Sequence, residues 1–333
     1  MHLHHLATLA TVAGSAAALL SAPVLSQESP DRYPSRPITF IMPFTAGGAT
    51  DIENRPYAEE ASKLLGKPVV LDFKPGNPAR IGYAVVAKGA PDGYTIISAS
   101  DSISLIAILE KNLPYDPVKD LQPVTVMTKW TTVMISSPMF PARNAKEMIA
   151  YARANPPGKL NWADSVANGS GHLEALYINS LLGITGTHIH YKGNSQSMLD
   201  MSEGRVDLTT TRMLPALPDI RAGRRKALAV LTAERSPLLP DVPTLRESDP
   251  ALRNFEGNSW VGVMTTSGIP PAILKKLSDT FMKVAKSPAN AKLKAEQGGA
   301  PWGSTPEEFQ KMLDTQLGRW REVVNKFNIK PED

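Results

Sequence analysis

The sequence predicts an α/β chain of two domains, each a mainly parallel sheet flanked by helices, and three observations carry that reading. Strand-length apolar runs alternate with helix-length stretches through residues 38–232. The stretch Ile38–Asp51, ITFIMPFTAGGATD, passes from a buried-strand pattern through a glycine turn into a helix start. The 333 residues, 42% hydrophobic and 20% charged, have globular composition and suffice for two domains of ordinary size.

The chain opens with a small-residue apolar run from Leu6 to Leu25 that turns polar at Gln27. This predicts a signal peptide over residues 1–26, with Val24 and Ser26 at the small-residue positions before the cut; His2, His4 and His5 stand where basic residues are usual. No later segment is long and apolar enough to span a bilayer. The absence of cysteine excludes disulfides, thiol nucleophiles, cysteine metal sites and lipidation through a cysteine. A net charge of +4 is spread along the chain, and the densest cluster, Arg221–Lys226, reads as a solvated face, so nucleic acid is not implied.

After the first strand, Pro43 stops the ladder and Gly47-Gly48 let the backbone turn before Asp51 and Asn54. Such a loop can hold a carboxylate or phosphate on the unpaired amides of a helix start, although the phosphate-loop and dinucleotide glycine spacings are both missing. Arg55–Leu65 has helical spacing, Gly66-Lys67-Pro68 ends it, and Val69–Phe73 is the next strand. Lys74–Arg80 is a second loop, Ile81–Lys88 a short helix, and Tyr94–Ala99 a third strand. Ser100, Asp101, Ser102 and Ser104 are expected to cap a helix that ends near Leu113-Pro114. Leu121–Met127 and Thr132–Ser136 lead out of the first domain.

The same grammar then repeats: helix Ala145–Ala154, strand Leu160–Ala163, loop Ser165–Gly171 and helix His172–Leu182. Strand His188–Tyr191, a turn at Lys192–Ser195, helix Ser197–Glu203, strand Val206–Thr211, helix Pro215–Gly223 and strand Lys226–Thr232 follow. Trp260–Met264 is a further strand, and the tail from Pro270 is helical. In parallel sheets ligands sit outside the strand C-termini, where these loops gather.

Catalytic patterns are weak. Ser170 lies in Asn-Gly-Ser-Gly-His rather than in a nucleophile elbow. Asp51, Asp101, Asp164 and Asp207 suit caps and loop ends. His188 and His190 would share one strand face at metal-ligand spacing, but a third and fourth ligand are missing from the pattern, and His172 reads as structural. Neither a cofactor nor a metal is expected.

Many short matches in one order resemble the Bug family, the periplasmic solute receptors of tripartite tricarboxylate transporters. They include Tyr33-Pro34, Pro43-Phe44…Gly47-Gly48…Asp51, Leu65–Val70, Ala90–Thr95, Leu113–Pro117, His172-Leu173, Tyr191–Gly193, Pro240–Thr244 and Trp260–Gly262. The resemblance implies a type II-like periplasmic binding protein fold with hinge strands: lobe 1 from residues 33–128 plus 257–333, lobe 2 from 129–256. It implies a monomeric receptor, not an enzyme, that closes on a small carboxylate and hands it to membrane subunits of the transporter.

Carried onto this chain, the family's first ligand loop falls on Phe44, Thr45, Ala46, Gly47, Gly48, Ala49 and Asp51. The second carries Lys74 and Arg80, with Ser100 nearby. Ser165, Asn168 and Gly169 form the facing loop, and Lys192 lies beside it. Thr45-Ala46 replaces the family's usual two prolines, the second loop has lost two glycines, and Pro78 removes an amide donor. Arg80 and Arg212 are positioned to replace lost amides with bidentate contacts, which favours a dicarboxylate or an aromatic acid. Phe73, Trp130 and Trp162 are candidate ring walls for the latter. A sensor that shows its closed form to a membrane signalling protein, and a secreted α/β enzyme, are the alternatives.

Overall fold

A computed structural model describes residues 29–47, 49–76, 79–164, 169–191, 194–257 and 259–330. The signal-peptide expectation therefore lies outside the described residues, as do Gly48, Pro78, Ser165, Asn168, Lys192 and the side chain of Ala49.

The first sheet is built on β1 (Ile38–Met42), with β2 (Val69–Phe73) and β3 (Thr95–Ser100) parallel to it on either side. Both faces of β1 are covered, which explains why its run is apolar at every position but Thr39. Ile38, Phe40 and Met42 pack with Tyr57 of α1 (Ala49–Leu65) and Phe281 of α8 (Pro271–Ala285). Ile41 points the other way, towards Tyr83 of α2 (Arg80–Ala87) and Phe309 of α10 (Pro306–Lys326). β10 (Trp260–Thr266) then runs antiparallel between β3 and β4 (Leu121–Trp130), and β11 (Gly299–Pro301) closes the edge.

The second sheet has the order β7-β6-β8-β5-β9, from β5 (Thr132–Ser136), β6 (Leu160–Asp164), β7 (Gly186–His190), β8 (Leu208–Arg212) and β9 (Lys226–Val230). β6 is parallel to β7 and β8, whereas β5 is antiparallel to β8 and β9. Both sheets are thus mixed. Their parallel halves carry the βα loops, and the antiparallel pairs enter where β4, β5 and β10 carry the chain between lobes.

Those crossings lie side by side. Trp130 N–H donates to Ser259 O at 2.8 Å, Leu231 N–H to Thr132 O at 2.9 Å, and Gly257 N–H to Leu231 O at 2.7 Å. An apolar cluster also ties the lobes together: Leu105 and Leu109 of α3 (Ser102–Leu109), Leu173 and Leu176 of α5 (Ser170–Leu182), and Trp320, Val323 and Val324 of α10. None of the described helices is long and apolar enough to cross a membrane.

Two local expectations are corrected. α1 begins at Ala49 rather than Arg55 and carries Pro56 inside it. α3 stops at Leu109, where Glu110 turns extended, and Asp101 at its N-cap makes no side-chain cap bond. Its carboxyl group is directed to Ser170 of the other lobe instead.

Candidate functional site

The first loop is organised by Asp51. Gly47 turns with φ +78°, a left-handed conformation open to glycine at little cost. Its N–H donates to Asp51 Oδ2 at 2.9 Å, and Arg55 donates to Asp51 Oδ1 at 2.6 Å. The Gly47 amide first, and Arg55 with it, hold the Asp51 carboxyl below its ordinary range. The Gly47 amide and Asp51 thus satisfy each other, while Phe44, Thr45 and Ala46 are exposed.

In the second loop Lys74 pairs with Asp72 at 3.1 Å, and Arg80 pairs with the buried Glu110 carboxylate at 3.1 Å. Arg80 is thereby anchored within its own lobe. Ser100 Oγ lies 2.9 Å from Ser102 Oγ. Phe73 and Trp162 join apolar clusters of their sheets, and only Trp130 among the three candidate rings borders the cleft.

Arg212 occupies a different setting. It ends β8 at the cleft, its guanidinium 5.1 Å from the Trp130 ring centroid, and its Nη1 donates to Glu53 Oε1 of α1 at 2.7 Å. Beneath Glu53, the fully buried Lys294 of α9 (Pro288–Glu296) donates to the Glu53 carbonyl at 3.0 Å. Burial pulls the Lys294 amine down to about 8, and Glu53 opposes that shift.

Arg212 lines adjoining cavities. One, of about 370 Å³, is bordered by Gly169, Ser170, His172, Thr209, Thr210 and Pro215. A neighbour of about 250 Å³ reaches Asp101, Thr132, Glu174 and Ser259. Burial raises the Asp101 carboxyl, against which the Ser170 hydroxyl and the charge of Arg212 act. Among the described residues these cavities combine the Arg212 guanidinium, several hydroxyls and the first turn of a 13-residue helix, which favour an anion, with the carboxyl groups of Asp101, Asp164 and Glu174.

The sequence pattern missed the assembly around Asp164 at the end of β6. His188 Nδ1 lies 2.9 Å, His190 Nδ1 3.5 Å and His172 Nε2 4.0 Å from the same Oδ2 of Asp164. A third and fourth group thus join the histidine pair. Burial pulls His172 down to about 4, with Asp164 opposing and the other two histidines adding to the shift. A usable signal was present: an aspartate ending one strand beside an alternating His-x-His strand.

Comparisons with known proteins agree with this architecture. Residues 54–329 match the family model described as tripartite tricarboxylate transporter family receptor. The chain is 32% identical over 317 residues to Protein BugT of Bordetella pertussis, covering 95% of each. Its fold is similar to that of R. palustris Rpa4515 with adipate, with a TM-score of 0.73, 30% identity and coverage of 90% of this chain and all of that one. It is also similar to MatC from Rhodopseudomonas palustris with bound malate, with a TM-score of 0.68, 28% identity and coverage of 88% and 100%.

Proposed function

The chain belongs to the tripartite tricarboxylate transporter family of receptors, solute-binding proteins rather than enzymes, and from that premise we propose that it captures a small organic dicarboxylate between its lobes. It works in the periplasm, reached by the signal peptide of residues 1–26, and delivers the acid to the membrane subunits of such a transporter.

The observation that carries the reading is Arg212, a cation at the cleft-facing end of β8 that borders cavities on its own lobe and touches α1 of the other. An acid lying there meets a guanidinium able to take a carboxylate in two parallel hydrogen bonds. The hydroxyls of Ser170, Thr210 and Thr211 and the α5 amides surround it. The adipate and malate of the two similar structures are both dicarboxylates, which supports that class. Trp162 is fully buried and Phe73 is partly buried against the core of its sheet, which leaves less aromatic surface for an aromatic acid.

Closure follows from differential affinity. A ligand touching both lobes binds the closed form better and shifts the population towards it. Gly48, Ala49, Ser165, Asn168 and Lys192 complete the proposed ligand shell with Arg212, while Arg80 contributes by fixing the second loop through Glu110.

The test is a thermal-shift screen of mono-, di- and tricarboxylates against their neutral diamides. A true ligand at 100 times its dissociation constant stabilises by about 2.7 kcal/mol. Stabilisation confined to acids supports the reading; equal responses to diacid and diamide, or a flat panel, overturn it.

A further inference from the structure

All three histidines beyond the leader, His172, His188 and His190, converge on one buried carboxylate. β6 and β7 are parallel, with Trp162 opposite His188 and Asp164 opposite His190. Alternation along the strands puts these four side chains on one face. His172, in the first turn of α5, closes over them, its ring centroid 5.0 Å from that of His188 and 4.7 Å from that of His190.

The donor atoms of Asp164, His172 and His188 all lie within 4.8 Å of one another. Tetrahedral sites with bonds of about 2.0–2.1 Å hold their donors roughly 3.3 Å apart. Side-chain shifts on the order of 1 Å therefore reach that geometry. Asp164 and His172 are buried, and His190 stands at the mouth with 43% of its side chain exposed, so an ion has a path in.

The surroundings of His188 supply an independent observation. Its Nε2 lies 3.4 Å from Asn179 Nδ2, while the buried Asn179 Oδ1 has no hydrogen-bond partner among the described residues. A half-turn of the amide gives that oxygen the Nε2–H of His188 as donor. His188 Nδ1 then faces Asp164 Oδ2 at 2.9 Å, a contact completed either by a second ring proton or by an ion bound between the two atoms. A ligating histidine whose outer N–H is held by an oxygen acceptor is the usual outer shell of such a centre. The Trp162 ring, nearly parallel to His188 at 6.1 Å, backs the imidazole.

We propose that Asp164, His172, His188 and His190 form a binding site for a divalent transition-metal ion of the zinc class. Imidazole nitrogens with one carboxylate suit zinc, and not magnesium or calcium, which take oxygen ligands. The site shares Asp164 and His172 with the lining of the cavity that Arg212 borders, and its affinity for the ion alone does not depend on what acid, if any, enters that cavity.

The experiment uses the full chain, stripped with a chelator and dialysed, and metal ions alone as probes in buffer free of carboxylates. Zn²⁺ at about 100 times its dissociation constant is expected to raise Tm by roughly 5 °C, with no response to Mg²⁺. Co²⁺ is expected to give the visible absorption of a four-coordinate centre. Asp164→Asn is expected to abolish both signals, and the exposed His190→Gln to weaken Zn²⁺ about tenfold while folding normally. His2, His4 and His5 are common to every variant, so only differences from the unmutated chain count. No Zn²⁺ response, or one that survives unchanged in both variants, overturns the site.

Discussion

Arg212 Nη1 rests 2.7 Å from Glu53 Oε1, so the cation proposed to receive a ligand carboxylate is held by a carboxylate of the opposite lobe. Ligand and Glu53 then compete for one guanidinium. Arg212→Gln is expected to weaken a diacid by about 10–100-fold, the loss of one charge-assisted hydrogen-bonding partner. Glu53→Gln is expected to act the other way, tightening it several-fold by releasing Arg212. Calorimetric titration of both variants checks the pair; equal losses in both would show that Glu53 is itself part of the binding surface.

Arg80 looks equivalent to Arg212 in the sequence, and the structure separates them. Its partner Glu110 is buried and lies just beyond α3, in the same lobe. Arg80→Gln leaves that carboxylate buried without its cation, so the expected effect is on stability, about 2–4 kcal/mol in urea unfolding. Acid affinity should change less than in Arg212→Gln.

Lys294 gives a pH dependence with a definite sign. Burial penalises its charge and pulls the amine down from the ordinary 10.5 to about 8 in the folded chain. Between those values the unfolded chain binds the extra proton, so this group makes stability rise with pH. Over pH 7 to 9.5 the gain is roughly 2 kcal/mol. Urea unfolding at the two pH values checks it, and Lys294→Met should remove the rise.

The α/β architecture was legible because β1, β6 and their helices follow the period of their apolar residues closely. Mixed pairing was not legible: β5 and β10 look like any buried strand, and only the return of the chain between lobes sets their direction. Among site residues, Arg212 was singled out by its place at a strand end. Glu53 was not, since a glutamate within a helix has the same local pattern whether or not it faces an arginine 159 positions away. The histidine cluster failed for the same reason, because its carboxylate comes from β6 and its third imidazole from α5. The neighbours Ser100 and Ser102 give Asp101 the local pattern of a cap, but its partner Ser170 belongs to the other lobe.

The lobes are also joined by packing, and that has a consequence for binding. Leu173 is fully buried among Leu105, Leu109, Leu176 and Trp320, so residues of α3 and α10 must part from α5 if the cleft is to open widely. Leu173→Ala leaves a cavity at this junction and is expected to cost about 2–5 kcal/mol in unfolding. Part of that loss falls on the contact between lobes rather than within either, so the ligand-free variant should populate wider forms. Small-angle scattering is expected to show a larger radius of gyration for the variant without ligand and the unmutated value with it. Acid affinity falls in proportion to the closed fraction lost. An unchanged radius and affinity, with stability reduced, would place the hinge motion elsewhere than across this cluster.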